Sequence, residues 1–379
     1  MSILKVDAIR HNSATSDAIT MASDGTCTAK ITGMTGGGAL SHRNIIINGA
    51  MTVAQRSAGP VAVQEGSNEN YQTIDRMRFA FGNAAAGACN ISQSTDAPTT
   101  LGFTKSHKTD VTTVNTTASG QQIINLFYRI EGQDLRNSGW NHLSPSSFLT
   151  LSFYFKTTKT GTSKLPIMFR TRHGTNYYYV KNVTVTDPTN WNRYTVTIPG
   201  NSNLQIDDAT TTGMDFFFTY YSGPDKDTSS EGSWGSTNAY STSESTNYFD
   251  STSNDMFITG IQLEVGDTAT TFEHRSFAEE KKRCERYYQT YGFTTLMGNL
   301  AGQTGTPRIL FPTEMRATPT SVTVEYGSNG NGSFRNQNDG STLTGNTTFN
   351  YYTNGFDCRG NSGSVNTIYS STYKADAEL

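Results

Sequence analysis

Apolar and polar positions alternate through most of this chain. Segments at 76–81, 122–130, 148–156, 167–172, 176–186, 193–198, 214–221 and 257–265 carry apolar or aromatic residues at or near period two, separated by turn-forming residues, which predicts strands. Their spacing predicts a two-sheet antiparallel β-sandwich, most economically a jelly roll, over residues 44–275. In the last of these strands Phe257, Thr259, Ile261, Leu263 and Val265 fall on one face and Ile258, Gln262 and Glu264 on the other, so one buried face is expected. Gly266 and Asp267 end it. Ser276 and Glu279 then form an S-x-x-E capping box that predicts a helix over 276–291, with Phe277, Cys284, Tyr288 and Tyr291 along one stripe. Such a stripe either packs on its own sandwich or forms a seam between identical subunits.

The flanks differ in character. Residues 1–43 read as a polar arm with a short β-like pattern at 3–9 and a glycine run at 36–38, which cannot bury a core alone. Residues 222–254 are rich in Ser, Thr, Gly, Asn and Asp, and connections of that length are functional or disordered. The final segment, 292–379, offers strands at 308–312, 321–326, 348–352 and 365–369 between glycines and asparagines and reads as a small C-terminal β-domain or tip. Its glycine-rich connections cost backbone entropy, for which oligomeric packing is the natural support. The expected class is mainly β, with one amphipathic helix between two β-units.

The block FITGIQLEVGDTATTFEHRSFAEEKKRCERYY at 257–288 resembles one carried by virion fibre and receptor-binding proteins of tailed phages, especially marine and cyanobacterial ones. Further pieces fall in the same order: IIINGAMTVAQR at 45–56, IDRMRFAF at 74–81, RIEGQDLRNSG at 129–139, LTLSFYFKTTKTG at 149–161, FPTEMRATPT at 311–320 and a closing ADAEL. The resemblance implies a jelly-roll domain of carbohydrate-module-like build. It also implies a virion protein, made in the host cytoplasm, whose residues 1–43 dock on other virion proteins and whose β-domains meet host surface glycan. Fibre-like resemblance points to a homotrimer.

Composition narrows the chemistry. The 379 residues are 34% hydrophobic and 16% charged, with a net charge of −3, so there is no electrostatic footprint for nucleic acid. No apolar run approaches the roughly 18 residues of a membrane helix, so insertion in a membrane is not expected. Cys27, Cys89, Cys284 and Cys358 lack metal or disulfide-framework spacing and are expected as free buried thiols. No phosphate loop, nucleophile elbow or zinc motif is present, so neither a cofactor nor a metal is expected. Asp225, Asp227 and Glu231 lack a full calcium-loop pattern and read as a solvated acidic turn.

Catalysis would have to come from acids: Glu131 with Asp134, or Asp110 with Glu131, could supply the carboxylate pair of a glycan-cleaving site. A non-enzymatic role is the leading expectation, with a structural head fibre or decoration protein and a depolymerising fibre as alternatives. Glycan recognition needs aromatic faces beside amides and hydroxyls. The candidates are Trp234 inside the polar loop, where few apolar neighbours suggest exposure, Trp140 in a turn, and Tyr177 and Tyr179 in an aromatic run. Trp191 reads as a sandwich-edge packing residue.

Overall fold

The computed structural model describes residues 6–10, 12–13, 15, 17–23, 27–29, 42–67, 69–115, 120–297, 299–300, 303–304, 307–344, 348–359 and 367–379. Strands β1 (Ala8–Ile9), β2 (Ile19–Met21) and β3 (Cys27–Ala29) form a small antiparallel sheet. Residues 3–5 of the expected β-like pattern, and the glycine run at 36–38, lie outside the described residues.

Eleven strands build the sandwich: β4 (Val61–Gln64), β5 (Arg78–Gly82), β6 (Ala88–Ser94), β7 (Ser106–Thr113), β8 (Ile123–Glu131) and β9 (Phe148–Thr157), then β10 (Ser163–Thr171), β11 (Tyr178–Val185), β12 (Asn192–Pro199), β13 (Thr212–Ser222) and β14 (Asp255–Val265). A five-stranded sheet of order β11-β10-β13-β8-β5 faces a six-stranded sheet of order β12-β9-β14-β7-β6-β4, and every pairing is antiparallel. The fold is a jelly-roll sandwich with a short helix α1 (Gly132–Arg136) after β8. Inward aromatics interdigitate between the sheets, with Phe153 of β9 edge-on to Phe218 of β13 at 4.9 Å. Strands β6 and β7 show little alternation because Asn90, Asp110 and their polar neighbours dilute the period-two signal, and β4 is only four residues long.

Two expectations are corrected. The alternation in β14 does not run through: Met256 and Ile258 face the core before Gly260, and Ile261 and Leu263 face it afterwards. A register shift between Thr259 and Gln262, with Gly260 at φ +61, inserts a bulge that swaps the faces. Phe257 is thereby placed outside, and almost the whole strand is buried on both faces. A Cβ at Gly260 would lie 2.7 Å from the Phe103 ring, so the bulge also demands glycine on steric grounds.

The helix is also shorter than its sequence pattern predicts. Helix α2 (Phe277–Glu285) starts as expected, the Ser276 hydroxyl accepting from the Glu279 amide at 3.2 Å, but it stops at Glu285. Tyr288 and Tyr291 belong to a strand, β15 (Tyr288–Met297), because the aromatic and β-branched run that follows suits a pleated surface. β15 pairs along ten positions with the last strand, β24 (Thr367–Asp376).

Between them lie β16 (Asn299–Leu300), β17 (Gln303–Thr304), β18 (Arg308–Leu310), β19 (Ser321–Glu325), β20 (Phe334–Asn336), β21 (Thr342–Leu343), β22 (Thr348–Tyr352) and β23 (Gly355–Arg359). β24 also pairs with β19 and β20, while β18, β23 and β22 form a second sheet. Phe311, Val324, Phe334, Phe356 and Tyr373 make this unit a separate core.

A polar junction ties that unit to the sandwich. Arg76, buried at φ +70, forms an ion pair with Glu378; their side chains are 1% and 5% exposed. The guanidinium lies 3.5 Å from the Tyr287 ring centre and 5.0 Å from that of Tyr128, and donates to the Arg129 carbonyl at 2.6 Å. Arg56 reaches Asp376 at 2.8 Å and Glu378 at 3.4 Å while covering Tyr288 at 3.7 Å. Arg286 grips the buried Glu131 with two bonds of 2.6 and 3.1 Å, and Arg316 donates to the carbonyls of Thr210 and Glu378 at 2.6 and 3.1 Å.

Glu378→Gln leaves the Arg76 charge without a counter-ion in the interior and should lower unfolding free energy by about 3–5 kcal/mol, read by urea denaturation; a loss below about 1 kcal/mol would place the pair among surface-like bridges. His107 on β7 points inward, parallel to Phe79 at 6.4 Å, and burial lowers its pKa from 6.5 to about 3. Because the folded value is the lower one, this neutral ring favours the fold above pH 6.5 and the benefit is lost as pH falls toward 3. Wild type should therefore lose stability faster than His107→Phe over that window, by about 1.4 kcal/mol per pH unit; parallel profiles would refute the assignment.

Candidate functional site

Period-two alternation fixes what the five-stranded sheet shows to the outside. Tyr178 and Val180 of β11, Met168 of β10, Phe217 of β13 and Phe127 of β8 point away from the main core and form a second apolar cluster. Phe127 and Phe217 stack at 4.6 Å with 16° between their planes. The long polar segment roofs part of this face. The Gly235 amide donates to the Tyr178 carbonyl at 2.9 Å, the Tyr178 amide returns the bond at 2.7 Å, and the Gly232 amide reaches the Val180 carbonyl at 2.8 Å. The segment thus satisfies the free edge of β11 before turning over the sheet, where Tyr240 sets its edge on Phe217 at 5.4 Å.

Between roof and sheet lies a pocket of about 190 Å³. Tyr178 and Trp234 line it together with the hydroxyl residues Thr228, Ser230, Ser233 and Thr237. This loop and this aromatic run stand out in the sequence, and the fold brings them together, but through Tyr178 rather than its neighbours. Tyr179 turns inward, 5% exposed, edge-on to Phe169, and Tyr177 packs half-buried against the main core. Val183 and Val185 share the parity of Tyr179 and face the core, which was the available signal that the even-numbered tyrosine points outward.

Trp234 is not the freely exposed ring expected. It is half-buried, tilted against Tyr179 at 5.4 Å, and its indole nitrogen donates to the Pro199 carbonyl at 2.7 Å, so it closes the sandwich edge between β11 and β12 while showing part of itself to the pocket. Trp140 is 4% exposed and donates to the Ser147 carbonyl at 3.2 Å, which leaves no ring face for a sugar. Trp191 packs as read, edge-on to Phe257 with its nitrogen 3.0 Å from Asp96.

The proposed subunit seam is also taken apart. Cys284 and Tyr288 are buried within the chain, and the Tyr291 hydroxyl bonds Glu285 while its ring approaches Tyr373 at 6.3 Å; only Phe277 of that set stays open, at 59% exposure. Helical spacing had linked residues that belong to two different elements. Cys89, Cys284 and Cys358 are buried free thiols, and burial raises the pKa of each; the side chain of Cys27 lies outside the described ones.

Glu131 is fully buried under Arg286 and Gln133, and the pKa of Asp134 is raised by burial and by Glu131. Asp110 sits on β7 of the other sheet, opposite Asp255, away from Glu131. Asp225, Asp227 and Glu231 each have separate partners, Gln121 at 3.0 Å, Ser241 at 2.6 Å and Lys181 at 3.1 Å, and among the described residues no acid, His or Cys group could hold a metal. A wider cleft of about 570 Å³ lies where His42, Arg43, Asp134, Arg283 and Arg286 meet, without an aromatic wall. Among the described residues no helix is long and apolar enough to cross a membrane.

Because Trp234 closes a core edge, Trp234→Ala should cost roughly 2 kcal/mol of stability, by lost area and an unpaired Pro199 carbonyl, and Trp234→Phe about half as much. Chemical denaturation of both variants decides: no change in midpoint would make the ring idle.

Neither a family model nor a curated protein matches the chain. Solved structures do. A bacteriophage CBA120 tailspike enzymatically active domain is 12% identical over 59% of this chain and 21% of its own, with a TM-score of 0.30. A family 11 carbohydrate-binding module of a Clostridium thermocellum cellulosomal cellulase is 10% identical over 57% of this chain and 100% of its own, with a TM-score of 0.28. A xylan-binding domain of Paenibacillus barcinonensis is 8% identical over 57% and 100%, with a TM-score of 0.26. Likeness of this degree does not identify a ligand.

Proposed function

We propose that the chain is a virion protein of a tailed phage, a fibre or receptor-binding protein that holds host surface glycan without cleaving it. The observation that carries this reading is the pocket between Tyr178 and Trp234: an aromatic wall offers an apolar face to a sugar ring, and four hydroxyl side chains stand where ring hydroxyls need partners. No carboxylate lines it, whereas glycoside cleavage requires two. In this reading residues 1–43 attach the protein to other virion components. Exposed apolar side chains at Phe277, Leu310 and Ile368 supply contacts for a homotrimer.

Gly235 lines the pocket, and a Cβ there would meet nothing within 4 Å. Gly235→Phe should therefore fill the pocket and abolish adsorption to host cells and host polysaccharide, with stability changed by no more than about 0.5 kcal/mol. Light scattering on the same samples should give three chain masses for both proteins. Unchanged adsorption by a folded Gly235→Phe protein sinks the glycan reading, and a monomer mass sinks the trimer.

A further inference from the structure

The outer face that carries the pocket also carries more positive charge than it neutralises. Asp215 of β13, fully buried, is the shared counter-ion of three arginines. Arg170 of β10 bonds its Oδ2 from Nε at 3.0 Å, Arg129 of β8 approaches Oδ1 at 3.5 Å, and Arg172 approaches Oδ2 at 3.7 Å. A fourth, Arg78 of β5, lies over the Phe127 ring at 5.1 Å, and among the described residues it meets no carboxylate and its Nε has no acceptor. The main-chain oxygen of Leu379 accepts from Arg129. Packing accounts for part of this arrangement, since Arg129 and Arg170 also lie over the aromatic stack at 5.6 and 5.0 Å. It does not account for three guanidinium charges sharing one carboxylate with the unpaired Arg78 beside them, which repel one another wherever water is partly excluded.

Register ties this cluster to the pocket. Tyr178 pairs with Arg170, Arg170 with Asp215 and Asp215 with Arg129 in one row, and Arg78 stands opposite Phe127 in the neighbouring row of the same face, so the cluster spans the sheet from the pocket wall to β5. Five strands at about 4.8 Å spacing make that span roughly 19 Å, with Tyr240 covering Arg170 and Phe217 along it. We infer that the saccharide held here is an acidic one, its carboxylate, sulfate or phosphate groups bound by Arg78, Arg129 and Arg172 beyond the aromatic pocket. The forked guanidinium suits planar or tetrahedral oxyanions, and Arg172 keeps 35% of its side chain open to solvent. Burial and the neighbouring arginines lower the pKa values of Arg78 and Arg172, the strain that an added anion would relieve.

The inference rests on the glycan reading above, and the experiment separates the two. Full-length protein is tested by calorimetry against polygalacturonate, dextran sulfate, neutral dextran and single-stranded DNA over a salt series. One or both acidic polysaccharides should bind at least about tenfold more tightly than dextran, weakening with salt, and Arg78→Gln with Arg172→Gln should remove about tenfold or more of that affinity. The uronate and sulfate arms tell which anion is preferred. Arg172→Gln alone serves if the double variant melts early. Equal binding of acidic and neutral polymers, lost in Gly235→Phe, overturns the acidic inference and keeps the pocket. Binding of no saccharide overturns both, and DNA bound as tightly as the acidic polysaccharides overturns the inference in favour of a polyanion surface.

Discussion

A guanidinium removed from water must meet a counter-charge or not be buried at all, and the whole arrangement of this chain is organised around one that is. Arg76 sits in the sandwich with its charge satisfied by Glu378 at the far end of the chain and its faces covered by Tyr128 and Tyr287. The sandwich, the turn after α2 and the C-terminal unit each supply one part of that cage. None of them is complete alone: Tyr287 holds the Ala377 amide at 2.8 Å, and Arg316 passes the Glu378 carbonyl to the sandwich loop at Thr210. Ion pairs of this kind add little stability over an apolar replacement but penalise every alternative packing that leaves one partner behind. The junction is therefore better understood as fixing how the two β-units meet than as a reserve of stability.

The same network explains what the recognisable sequence blocks are for. IDRMRFAF contributes Arg76, VAQR contributes Arg56, RIEGQDLR contributes Glu131, CERYY contributes Arg286 and Tyr287, TEMRATP contributes Arg316 and ADAEL contributes Glu378. Blocks spread over the chain meet in one polar interior. They are statements about architecture, and the ligand is left to the loop and the outer faces, where fold and function are separable.

Sandwich strands were legible because burial on one face writes a period-two pattern, as in β5 and β12. Where both faces are covered the pattern weakens, and in β14 a single glycine reverses it; the steric reason for that glycine, the Phe103 ring, is a long-range contact no local pattern reports. The end of α2 was missed for a related reason. Tyr288 and Tyr291 fit a helical stripe as well as a strand, and ten pairings with β24 decide the matter from far down the chain. At the pocket, the loop and the tyrosine run were visible as unusual composition. Which tyrosine faces outward, and that Trp234 serves the core edge, depended on sheet register.

The pairing of Arg76 with Glu378 spans 302 positions. During synthesis at roughly 5–20 residues per second, the sandwich strands emerge from several seconds to about a minute before the partner of their buried charge exists. Until then Arg76 must remain hydrated, so the nascent sandwich has to keep that corner open. The final residues close it. Completion of the first core therefore waits on a residue far beyond its last strand, β14, and a chain cut short before Glu378 carries a wet, unsealed corner that quality-control proteases can find.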